Sequence, residues 1–148
     1  MNILIAAFGK IAAQDPHQQI IEEYRKRLPW KLQILELSDK KAVSTQQESA
    51  LLFESIPKNH LLITLDETGK NLTSAEFAKI LSDLQDTSHA NIAFAIGGAS
   101  GHDKSLLAKS NLVIALGKST MPHKLARVVL VEQIYRAHTI ITGHPYHK

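Results

Sequence analysis

The chain has 148 residues, 44% of them hydrophobic, no cysteine, and a formal net charge of +3 at neutral pH. That size suits one ordinary domain, residues 1–148, able to bury most of its apolar surface in a single core. No run approaches the roughly 18 uninterrupted apolar residues of a membrane span, residues 1–5 lack the basic flank of a signal peptide, and the lack of cysteine excludes disulfides, thiolate zinc sites and a cysteine nucleophile.

Residues 2–8 form a short apolar run closed by Gly9, the pattern of a strand buried on both faces. A helix over 16–28 follows, with Pro16 suited to its first turn, then a second strand over 32–37 and a helix over 44–55. The third strand spans 60–65. The helix over 73–84 opens with Thr73-Ser74-Ala75-Glu76, a capping-box pattern. A fourth strand over 91–96, a short helix over 103–109, a fifth strand over 111–116 and a long helix from His123 to about Ile141 complete the chain. This alternation predicts an α/β fold with a mainly parallel sheet flanked by helices, whose ligands bind beyond the carboxyl ends of the strands. No repeat, low-complexity tract or linker suggests a second domain.

The final helix places Leu125, Val128, Val129, Leu130, Val131, Ile134, Tyr135 and Ala137 around most of its circumference. One side faces the sheet and the other needs a partner, which predicts a homodimer. Charge is also concentrated late: residues 103–148 hold seven Lys/Arg against two Asp/Glu, together with His123, His138, His144 and His147. Such a segment suits a polyanionic partner.

Two loops follow strands and precede helices. Ile96-Gly97-Gly98-Ala99-Ser100-Gly101 lets a ligand press against bare backbone, yet it has neither dinucleotide-fold spacing nor a P-loop lysine. Leu116-Gly117-Lys118-Ser119-Thr120-Met121-Pro122-His123 offers main-chain groups suited to the edge of a purine. Arg127 lies one turn into the last helix and lacks an obvious local mate, because Glu132 has Arg136 at i+4; it is expected to face the ligand. The tail Gly143-His144-Pro145-Tyr146-His147-Lys148 gathers groups that stack on bases, contact phosphates and exchange protons. His-x-x-His lacks a third ligand, so no metal site is assigned, and His138 reads as a core histidine.

Taken in order, these residues resemble the SPOUT-class (α/β-knot) methyltransferases. Among them the match is to the small ribosomal large-subunit methyltransferase H family, which modifies N3 of a pseudouridine in helix 69 of bacterial 23S ribosomal RNA. The marks are Thr64-Leu65-Asp66 with Gly69-Lys70, the Gly97-Gly98 turn with Gly101, Thr120-x-Pro122-His123 leading through Arg127-Val128 to Glu132-Gln133-x-Tyr135-Arg136-Ala137, and Tyr146-His147-Lys148. Gly117 and Met121 depart from the family pattern, in a loop expected to act through its backbone. The resemblance implies a C-terminal trefoil knot, where residue patterns alone would give an open flavodoxin-like sheet. It also implies a cytoplasmic homodimer and S-adenosylmethionine held by Leu65, Gly97, Gly98, Leu116, Gly117, Lys118, Ser119, Thr120 and Met121. His147 or His144 is then the expected proton acceptor, Arg127 and Tyr146 hold the target base and its phosphate, and His123 serves either role. Assembled ribosome is the expected substrate. The alternatives are a tRNA methyltransferase of the same class and a non-catalytic flavodoxin-like nucleotide-binding module.

Overall fold

Strands form where apolar residues run together. In the computed structural model, which describes residues 1–38, 44–86 and 91–147, these runs become β1 (Asn2–Phe8), β2 (Lys31–Leu37), β3 (Leu61–Asn71), β4 (Asn91–Ile96) and β5 (Leu112–Ala115). Every pairing is parallel, in the order β2-β1-β4-β3-β5. The predicted parallel α/β sheet is therefore present. The central strands are apolar on both faces because helices cover both: Ala6, Ala7, Ala95, Ile5, Ile63 and Phe94 are fully buried.

The helices are α1 (Pro16–Arg27), α2 (Thr45–Ser55), α3 (Ser74–Asp86), α4 (Lys104–Lys109) and α5 (His123–Ile141), followed by a 3₁₀ turn at Pro145–His147. Four of the five starts are fixed by side chains, and α5 follows Pro122 without a side-chain cap. Asp15 caps α1 through the His17 N–H with Pro16 next in line, Ser44 caps α2 through Gln47, and Asp103 caps α4 through Leu106. The capping box of α3 is complete: the Thr73 N–H donates to Glu76 at 2.8 Å, and the Glu76 N–H donates to the Thr73 hydroxyl at 3.2 Å.

Two apolar clusters lie on opposite faces of the sheet. Ile21, Phe77, Leu81, Leu130, Val131 and Ile134 bring α1, α3 and α5 onto one face, while Leu52 and Leu106 bring α2 and α4 onto the other. The first of these clusters buries one side of α5, as its all-round apolar pattern requires. On the other side Leu125 remains 41% exposed and Val129 half-buried.

One strand exceeds its predicted length. β3 continues through the polar residues 66–71, where Lys70 and Asn71 pair with Ile114 and Ala115 after an irregularity beyond Leu65. The composition of 66–71 reads as a loop, but β5 needs a pairing partner along its whole length, and the chain supplies it with a bulged strand.

Candidate active site

The carboxyl ends of β3, β4 and β5 open into one cleft of about 930 Å³. Its walls are 65–68 from β3, 96–102 after β4, and 116–123 leading into α5. This is the position that a parallel sheet assigns to its ligands, and the volume falls in the range of small-molecule sites.

Of the nine residues expected to hold a cofactor, eight line this cleft: Leu65, Gly97, Gly98, Leu116, Gly117, Ser119, Thr120 and Met121. Lys118 does not; it is exposed on the same loop. The Gly97 turn is tight for a steric reason. A Cβ on Gly97 would stand 2.7 Å from the Gly101 carbonyl oxygen and 3.1 Å from the His102 ring, so only glycine fits.

The cleft's charge is informative. Among the described residues the ionisable groups on its walls are Asp66, Glu67, His102 and His123, without a Lys or Arg. Polyphosphates bind where cations and helix N-termini converge, whereas two carboxylates beside bare backbone suit a ligand carrying positive charge. Asp66, Glu67 and Thr68 were not among the residues expected to bind. Their local sequence signal is a polar segment directly after a buried strand, although Asp66 is among the marks of the family resemblance. Among the described residues no group of three metal-ligating side chains occurs.

His123 is the one residue of the expected catalytic set that lines the cleft. Its ring lies over Gly9, where a Cβ would meet Nε2 at 2.9 Å, and Gly9 itself has φ +82°. Glycine at position 9 thus satisfies both the backbone and the ring. The next residue, Lys124, donates to Asp15 at 2.8 Å, so the start of α5 is anchored to the start of α1. That contact, together with the His17 N–H, holds the Asp15 carboxyl far below its ordinary range.

Arg127 corrects an expectation. It does not line the cleft, and it is fully buried. Its guanidinium donates to Glu36 at 2.7 Å and to the carbonyls of Phe8 and Gly9 at 3.2 and 3.0 Å. The mate that local spacing failed to reveal lies 91 residues away at the end of β2. Arg127 therefore clamps the ends of β1 and β2 to α5, directly beneath His123.

The tail residues His144, Tyr146 and His147 lie apart from the cleft, at the far end of α5. Tyr146 folds back along the helix: its hydroxyl donates to Glu132 at 3.0 Å and lies 3.0 Å from that of Tyr24. Its ring meets Tyr135 at 4.8 Å and the Arg136 guanidinium at 5.0 Å. Burial, then these hydrogen bonds, raise the Tyr146 hydroxyl well above its ordinary pKa. Arg27 joins the cluster, donating to the Tyr135 hydroxyl at 2.7 Å with its guanidinium 4.5 Å from that ring. His144 is exposed and accepts from the Tyr146 N–H at 3.2 Å, while His147 keeps its Nδ1 buried without a hydrogen bond. His138 packs edge-on to Trp30 at 5.1 Å but is half-buried, at the border of the core and not inside it, and its partial burial lowers its pKa.

A doubly covered parallel sheet with a backbone-lined, carboxylate-bearing cleft at its carboxyl edge defines an α/β protein whose cleft has the place and size of a small-molecule site. Residues 1–147 match the family model described as predicted SPOUT methyltransferase, and the chain belongs to that family. Its relatives share its full length. The chain is 41% identical over 152 residues to the ribosomal RNA large subunit methyltransferase H of Rhodospirillum centenum, covering 100% of this chain and 99% of that protein. The protein of the same name from Clostridium beijerinckii is 44% identical over 160 residues, covering both chains fully, and that of Paramagnetospirillum magneticum 38% identical over 152 residues, covering 100% and 99%. No helix among the described residues is long and apolar enough to cross a membrane.

Proposed function

We propose that this protein is a cytoplasmic, S-adenosylmethionine-dependent ribosomal RNA methyltransferase that acts on N3 of a pseudouridine in helix 69 of 23S rRNA. The observation that carries the cofactor reading is the cleft itself: glycine-rich backbone on two sides, Asp66 and Glu67 on the third, and no cation among the described residues of its walls. The residues present fit a cofactor that joins a purine to a sulfonium. The same feature speaks against a phosphate-binding nucleotide module. Full-length identity to three proteins named as ribosomal RNA methyltransferases supports the substrate class. Family membership likewise supports a single domain with a trefoil knot in its C-terminal part.

When bound, S-adenosylmethionine supplies an activated methyl group. The protein's own task is then to align the target nitrogen and accept its proton. Leu65 and the loops at 97–98 and 116–121 fix the cofactor, and His123 stands at the mouth. The tail cannot share this work within one chain. The 19 residues of α5 separate the tail from His123 by about 28 Å at 1.5 Å per residue, and Tyr146 folds back only to Glu132, still about 14 Å along the helix from His123. His147 and His144 therefore act from a second copy docked on the exposed side of α5, where Leu125 and Val129 lack cover. Arg127 serves as a positioning residue for His123, and Tyr146 as the tether of the tail.

Mass mapping of modified nucleosides in ribosomal RNA from a strain lacking the gene tests the substrate. The helix 69 pseudouridine should lose its methyl group and regain it on complementation; an unchanged nucleoside overturns the assignment. Calorimetric titration with S-adenosylmethionine tests the cofactor separately.

A further inference from the structure

His102 stands between two of the walls that form the cleft. Its Nε2 lies 3.1 Å from the backbone N of Gly97 and 3.1 Å from the carbonyl oxygen of Leu65, and both residues line the cleft. One ring nitrogen cannot serve both groups. With a lone pair it accepts from the Gly97 N–H; with a proton it donates to the Leu65 carbonyl. Nδ1 is buried without a hydrogen bond, so neither tautomer is fully satisfied by the protein.

The two backbone groups differ in their options. The Gly97 amide has a single proton, already directed at the ring, whereas the Leu65 carbonyl has two lone pairs and belongs to a residue that lines the cleft. Resting on the cofactor reading above, we infer that His102 is a positioning residue whose neutral, Nδ1-protonated form holds the Gly97 turn and leaves the Leu65 carbonyl free to accept from the adenine amine. The imidazolium form has no lone pair for Gly97, and its Nε2–H competes with the ligand for the Leu65 carbonyl. Acid therefore opposes binding through this one side chain.

Burial favours the neutral form in the free protein and lowers the His102 pKa from 6.5, against the pull of Asp66, Asp103 and the carbonyls of Leu65 and Ala95. Because the bound state requires the neutral ring, ligand binding lowers the pKa further. Affinity is then constant above the free-protein pKa and falls below it, by up to about tenfold per pH unit.

The test is calorimetric titration of S-adenosylhomocysteine into the full-length protein from about pH 7.5 to about pH 5. His102→Gln provides an amide oxygen that accepts from Gly97 and does not titrate. The wild-type Kd should rise in acid and that of His102→Gln should stay level, which separates this effect from any other acid-sensitive group. A level wild-type profile, or the same slope in the variant, overturns the inference while leaving the cofactor reading intact. No binding at any pH overturns both. Should the variant fail to fold, ¹⁵N shifts of the His102 ring in labelled wild-type protein decide: the bound state should show Nδ1–H, and an Nε2–H tautomer overturns the proposal.

Discussion

The two ends of α5 are built on different principles. At its N-terminal end the helix meets a cleft shaped by backbone, where Gly9 and Gly97 admit the rings of His123 and His102 because they carry no side chain. At its C-terminal end the architecture is made of side chains: Tyr24, Tyr135, Tyr146, Arg27, Arg136 and Glu132. The first end tolerates almost no added atom. The second depends on contacts between residues more than a hundred positions apart, such as Arg27 with Tyr135 and Tyr24 with Tyr146.

Substitutions at each end should separate these roles. The largest effect is expected from Arg127→Ala, which removes the guanidinium from two carbonyls and leaves Glu36 with the Ile11 N–H in place of its ion pair. Because Glu36 keeps 26% of its side chain exposed, the loss is placed at about 3 kcal/mol, the lower end for a broken buried pair, measurable as a shift in the urea midpoint. Gly97→Ala should leave folding largely intact and weaken S-adenosylmethionine binding by about ten- to a hundredfold, the equivalent of 1–3 kcal/mol of local strain. Unchanged affinity would show that the cofactor does not use this turn. His147→Ala should lower single-turnover methyl transfer to ribosomes about a hundredfold, as expected of a lost general base, with cofactor affinity unaltered. A full rate would remove His147 from the chemistry. Tyr146→Phe should be mildest: the ring stays, two hydroxyl contacts go, and stability falls by about 1 kcal/mol in thermal or urea unfolding.

The cleft was largely legible because its signals are local. A glycine turn after an apolar run and a polar loop before a long helix marked two of its walls, while Leu65 on the third came only with the family resemblance. His102 carried such a signal too, standing directly after Gly101, and it was missed because a histidine at a turn has no distinctive spacing. The role of Arg127 was not legible at all: its partner Glu36 sits on β2, and only the fold brings the two strands beneath α5. The extension of β3 through 66–71 was hidden for a related reason, since polar residues became a strand only where β5 required pairing. For the tail, the cluster of aromatic and basic residues was visible in the sequence, but its distance from the cleft was not. That separation follows from the direction in which α5 leaves β5.

One carboxylate couples two distant stretches of chain. Asp15 caps α1 through the His17 amide and binds Lys124 at the start of α5. Opening either helix start breaks the same anchor, so the first-turn amides of α1 and those around Lys124 belong to one cooperative unit in hydrogen exchange, with a common opening free energy. Asp15→Asn would uncouple them. A ligand that fixes the 116–123 loop should then protect amides near residue 17, on a helix it does not touch, only while the carboxylate is present.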